Sequence, residues 1–158
     1  MAEEQAVDHS SLSIQDHLFP ELPCFGCGPN NPRGLRLRSY LVDGEVRARF
    51  TPWPEHDNGL GYLNGGIIAT VLDCHSAAAV LWEAHQRGWT PLPGAALSHV
   101  TAGLDVRFLR PSPLTETVDL RASVTSASEG EITCSVELAW DGKVRATGTA
   151  QWNRWRPR

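Results

Sequence analysis

Only one stretch of this chain is patterned as a long helix, and that limits the folds open to it. From about Gly65 to Gln86 the sequence runs GGIIATVLDCHSAAAVLWEAHQ. Ile67, Ile68, Val71, Leu72, Ala78, Ala79 and Leu81 make much of its circumference apolar. A helix that is apolar on more than one side must be surrounded rather than laid on a surface. Gly88 and Pro91 end it.

The flanking segments have a period of two. Leu35, Leu37, Ser39 and Leu41 largely alternate with Arg36, Arg38 and Tyr40, and Val46, Ala48 and Phe50 alternate with Arg47 and Arg49. After the helix come Leu104, Val106 and Phe108, then Val118 to Val124, Ile132 to Trp140 and Val144 to Trp152. Alternation of this kind gives each strand one core face. Asp43-Gly44 and Asp141-Gly142 are hairpin turn pairs. The economical solution is an α+β fold, an antiparallel sheet of about six strands wrapped around one long central helix, which is the hotdog arrangement. Such a sheet keeps open edges, which favours pairing with a second copy.

Length and charge narrow the partners. A chain of 158 residues fits one domain, assigned to 24–158, with residues 1–23 expected as a flexible arm with room for a short helical turn. A net charge of −4 gives no general attraction to nucleic acid or anionic membrane. The N-terminus is acidic and polar, unlike a signal peptide, and Asp73 and His75 interrupt the one apolar stretch. A cytoplasmic location is the default expectation.

Four cysteines are present, and only Cys24 and Cys27 form a CxxC pair. A zinc site needs two further ligands, and Cys74 and His75 are adjacent on the expected helix. The pair therefore reads as part of a Gly, Pro and Asn-rich turn, CFGCGPNNPRG, with no metal and no cofactor expected.

Two features carry chemistry. Gly65-Gly66 opens the helix, where unpaired N–H groups point outward with the positive end of the helix dipole. Such donors bind phosphate or polarise a carbonyl; glycines there could equally serve tight packing. Asp73 sits among Val71, Leu72, Ala77 and Ala78, where an unpaired carboxylate is costly. It is either satisfied by a partner across an interface or is a nucleophile or general base.

The segment NGGIIATVLDCH resembles the HGG…D segment of the hotdog thioesterases, the superfamily with PaaI-like and 4-hydroxybenzoyl-CoA members. TAGLDVRFLRPS is similar to the family's strand ending in Phe-x-x-Pro, and CFGCGPNNPRGLRLR resembles a PaaI-like subgroup. The resemblance spans roughly Cys24 to Trp152 and implies acyl-CoA or acyl-carrier thioester hydrolysis. It implies Asp73 as the catalytic acid residue, Gly65 as the amide that polarises the thioester carbonyl, with Gly66 beside it, and Asn58 as an orienter of water or substrate. Thr101 falls near a water-holding hydroxyl of some members. The family's usual His before the glycines is Asn64 here. The departure keeps a second reading open, a non-catalytic hotdog protein binding acyl-CoA or an aromatic small molecule.

Geometry adds one constraint. Gly65 and Asp73 are eight residues apart, about 12 Å along a helix rising ~1.5 Å per residue. One thioester carbon cannot meet both. The expectation is a homodimer, or a dimer of dimers, in which one copy's Gly65 faces the other's Asp73. His56, in the loop TPWPEHDNGLGYLN, is a candidate substrate contact, while His75 and His99 read as packed residues. Arg107 could meet phosphates of coenzyme A or lie on a solvated strand face. No GxSxG elbow is present.

Overall fold

The computed structural model describes residues 12–158. Its centre is the helix α2, Gly65–Gln86, with the bounds the sequence pattern predicts. Six strands surround it: β1 (Ser39–Val42), β2 (Glu45–Phe50), β3 (His99–Phe108), β4 (Val118–Ala127), β5 (Glu131–Trp140) and β6 (Lys143–Arg154). They form one antiparallel sheet in the order β1-β2-β4-β5-β6-β3. This is the hotdog fold.

The alternation explains the core. Val118, Leu120, Ile132, Cys134, Val136, Leu138, Ala146 and Ala150 turn one sheet face inward and are buried. Val71, Leu72, Ala78, Val80 and Ala84 of α2 fill that concavity and are buried too. Full burial of a side chain of Leu size is worth about 1.5–3 kcal/mol, so this one contact surface dominates the fold. By length and composition α2 could also cross a membrane, but here the sheet covers much of its apolar surface. Both Asp-Gly pairs close hairpins with left-handed backbone at each residue (Asp43 φ 50°, Gly44 φ 78°; Asp141 φ 52°, Gly142 φ 69°), as a tight primed turn requires.

Three expectations need correction. The first strand begins at Ser39, not Leu35. Arg36 has φ 56°, which breaks extended backbone, and Leu35 and Leu37 instead donate their N–H groups to the carbonyls of Phe25 and Gly26. Both leucines are buried, so the apolar pattern was real but belonged to a packed loop. Phe108, expected inside, is 56% exposed, because β3 is an edge strand. The arm expected over 1–23 is not loose in its later part. The helix α1, Ile14–Leu18, is capped by Ser13, and Ile14, Gln15 and Phe19 are buried. Residues 1–11 lie outside the described residues.

Candidate active site

Asp73 lies on α2 with its side chain only partly buried, while Leu72, Cys74 and His75 on either side are buried. The Thr101 hydroxyl on β3 donates to Asp73 Oδ1 at 2.8 Å. Burial pushes the carboxyl pKa above its ordinary value, the Thr101 hydrogen bond pulls it down, and negative charge on the neighbouring Cys24 sulfur raises it again. The result is a carboxylate held in one direction, more basic than a solvated aspartate. Thr101, whose alignment rested on the family resemblance alone, is thus brought onto Asp73 by the pairing of β3 against the helix.

The helix start is built by Asn64. Its Oδ1 accepts from Gly66 N–H at 2.8 Å and Ile67 N–H at 3.4 Å, a side-chain N-cap. This corrects the expectation for Gly66, whose amide is occupied by the cap. The Gly65 N–H has no acceptor among the described residues. A Cβ added at Gly65 would meet only the Phe108 ring, at 3.4 Å. That is ordinary contact, so packing within the chain does not require glycine at 65. Without a side chain, Gly65 leaves its backbone open to close approach.

The loop before α2 holds Asn58 and His56. Asn58 Oδ1 accepts from the N–H groups of Leu60 and Tyr62, and Asp57 Oδ1 accepts from those of Gly59 and Gly61. These Asx turns fix the loop tip. His56 helps to build the scaffold of this loop. It is buried, its Nδ1 accepts the Trp53 N–H at 3.0 Å, and its ring stacks on Trp53 with centroids 4.6 Å apart. Burial lowers its pKa, so it stays neutral. Its carbonyl accepts the Asn64 N–H at 2.8 Å, which aims the chain into α2.

Arg107 pairs with Asp105 at 3.2 Å, and both side chains are more than half exposed. An exposed pair of this kind contributes little and marks a solvated strand face. His75 and His99 are packed, as expected; His75 is fully buried and His99 begins β3. Within one chain the candidates fall into two groups: Asp73 with Thr101, and Asn58, Asn64 and Gly65 at the helix entry. The unbroken helix keeps the groups about 12 Å apart along its axis.

The family model described as the thioesterase superfamily matches residues 60–145, more than half of the chain. The chain belongs to the thioesterase superfamily. The matched stretch contains Asn64, Gly65, Asp73 and Thr101. No curated protein matches this superfamily member. Solved structures do. A thioesterase superfamily protein from Shewanella loihica is 26% identical, covers 76% of this chain and 91% of its own, and superposes with a TM-score of 0.61. A Bacillus halodurans protein solved with CoA is 25% identical over 78% of this chain and 77% of its own, TM-score 0.62. The PaaI protein of E. coli, from the phenylacetic acid degradation operon, shares the fold at 17% identity over 77% of this chain and 81% of its own, TM-score 0.62.

An open groove of about 650 Å³ lies between the β1–β2 turn, β4 and the far half of α2, lined by Leu41, Val46, Ala79, Trp82 and Val124 among others. It does not include Asp73 or Thr101.

Sequence reading missed one cluster beside the site. Cys74 adjoins His75 in sequence, yet its side chain meets Cys24 of the CxxC pair, with the sulfurs 3.8 Å apart. The phase of α2 sends Cys74 and His75 in different directions, and only the tertiary fold shows where the CxxC turn sits.

Proposed function

We propose that this thioesterase-superfamily chain hydrolyses an acyl-CoA or acyl-carrier thioester, with Asp73 as nucleophile or general base. The single observation that carries the reading is Asp73 itself, a partly buried carboxylate of raised basicity oriented by Thr101. A purely structural aspartate at such a place would be worth replacing, since its burial opposes ionisation. The relative solved with CoA supports coenzyme A as the thiol.

Asp73 acts in one of two ways. As a nucleophile it forms an acyl anhydride with the carbonyl carbon and expels the thiolate, and water then releases the acid. As a base it takes a proton from water, whose oxygen attacks the same carbon; the C–S bond then breaks and the departing thiolate takes up that proton, which gives the free acid and thiol. In both, the carbonyl oxygen gains negative charge, and the unpaired Gly65 N–H at a helix N-terminus suits that charge. In this reading the N–H comes from a second copy, since about 12 Å of helix separates Gly65 from Asp73 within one chain.

Hydrolysis of a panel of acyl-CoA thioesters, followed by thiol release, tests the activity. A non-catalytic binder would take up acyl-CoA without turnover. The shared site has its own test. A mixed dimer of Asp73→Ala and Asn58→Ala chains keeps one site with both residues intact, so it recovers activity that neither homodimer has. Absence of recovery overturns the shared site.

Thr101→Val keeps the shape and removes the hydroxyl. The ionised form of Asp73 loses its hydrogen bond, so its pKa rises further. The expected outcome is a pH–rate profile displaced to higher pH and a loss of roughly tenfold in kcat/KM at neutral pH, the scale of one charge-assisted hydrogen bond.

A further inference from the structure

We propose that Cys24, Cys27 and Cys74 form a binding site for a thiophilic divalent cation of the zinc class, clamping the N-terminal turn onto α2 beside Asp73. The three sulfurs all lie within 4.8 Å of one another, although Cys74 is 50 residues from Cys24. Cys24 Sγ and Cys74 Sγ are 3.8 Å apart. Two thiolates on a tetrahedral zinc at ~2.3 Å each stand about 3.8 Å apart, so this pair needs no movement to share an ion.

The turn that carries two of the ligands is built to present sulfur. The backbone amides of Gly26 and Cys27, in the same turn, favour the ionised form of the Cys24 sulfur. Amide donors favour the thiolate, the form a metal takes. The Gly28 N–H closes the turn on the Cys24 carbonyl at 2.8 Å. Gly26 and Gly28 admit no side chain. A Cβ at Gly26 would stand 2.2 Å from Cys74 Sγ, and one at Gly28 would stand 2.2 Å from Cys24 N and 2.3 Å from Leu22 O. The glycines let the turn press its sulfurs onto the helix where Cys74 emerges.

Charge points the same way. The charges acting on the trio are their own and that of Asp73, all negative. A divalent ion would let all three ionise, with release of their protons. Soft thiolates select zinc over magnesium or calcium. Among the described residues no fourth His, Cys, Asp or Glu joins the group, and Cys24 is the half-exposed member. The fourth position therefore falls to a solvent molecule on the Cys24 side. The site's role is to hold the turn against the helix, and it stands whether or not Asp73 hydrolyses thioesters.

The test uses the full chain, purified without chelator and then dialysed against zinc or cobalt. The expected result is one metal per chain, with sulfur-to-cobalt charge-transfer and tetrahedral ligand-field bands in the cobalt form. Chelator should turn Cys24 from alkylation-resistant to reactive. Cys24→Ser should lower metal content roughly tenfold or more, while Cys134→Ser, outside the cluster, should keep it. Cys24→Ser is the deciding variant because that side chain is half-exposed, and circular dichroism confirms its fold. Four free thiols without retained metal overturn the proposal. So does cobalt bound without thiolate bands, or a disulfide within the trio in place of the ion.

Discussion

Replacing Asp73 with Asn is expected to lower thioester turnover by about 10³-fold or more while leaving the protein folded, and at neutral pH no less stable. The loss follows from the role: a positioned acid–base group typically contributes 10²–10⁴-fold, and a nucleophile's removal costs at least as much. Asn keeps the shape and can still accept the Thr101 hydrogen bond. Stability should move the other way. The folded state raises the Asp73 pKa above 3.8, chiefly through burial. A carboxyl with a raised folded pKa stabilises the fold below its unfolded pKa, and that contribution is lost as pH rises through the folded value. At neutral pH the native carboxylate is therefore a burden that Asn removes. The same shift sets the pH profile: kcat/KM should rise with pH through an apparent pKa above the usual aspartate value. Thermal melts and initial rates on the two proteins decide it. Unchanged turnover in Asp73→Asn removes the basis for the proposed reaction. A large drop in melting temperature would make Asp73 a structural residue.

The main architecture was legible because its causes are local. One apolar helix and strands of period two leave few alternatives, and the Asp-Gly pairs mark two hairpins directly. Failures came where tertiary geometry overrides pattern. Leu35 and Leu37 alternate like a strand, yet Arg36 adopts a left-handed turn and the segment docks on the CxxC loop. At the candidate site, Asp73 stood out as a charge in apolar surroundings. The cap formed by Asn64 also has a local signal, an Asn immediately before a helix, at the position of the family's usual His. The hydrogen bond from Thr101 and the approach of Cys24 to Cys74 span 28 and 50 residues. No local rule gives such contacts; they follow from strand order and from how the N-terminal segment packs across the helix.

The second large effect should come from His75, through stability alone. His75 is fully buried on α2, two residues past Asp73 in sequence but on another side of the helix. Val46 O can only accept, so His75 Nε2, at 3.0 Å, carries the proton and donates to it. Nδ1 is then the acceptor for the Ser39 hydroxyl at 2.9 Å. Ser39 in turn accepts from Gln15 Nε2 at 3.1 Å and donates its backbone N–H to Gln15 Oε1 at 2.7 Å. Every polar atom of this buried chain is satisfied only while the imidazole is neutral, and the chain ties α1, β1, β2 and α2 together. Burial lowers the His75 pKa from 6.5 to about 4. The unfolded chain therefore binds the extra proton first, and stability is lost as pH falls from about 6.5 to about 4. At ~1.4 kcal/mol per pKa unit the full loss is about 3 kcal/mol. Urea melts across that window should show the decline in the native protein and a shallower one in His75→Gln, with the difference assigning it to this ring. At neutral pH His75→Ala should cost about 2–5 kcal/mol, since it opens a cavity and strands Ser39 and Val46. Parallel pH dependence in native and His75→Gln proteins would show that the proton enters elsewhere.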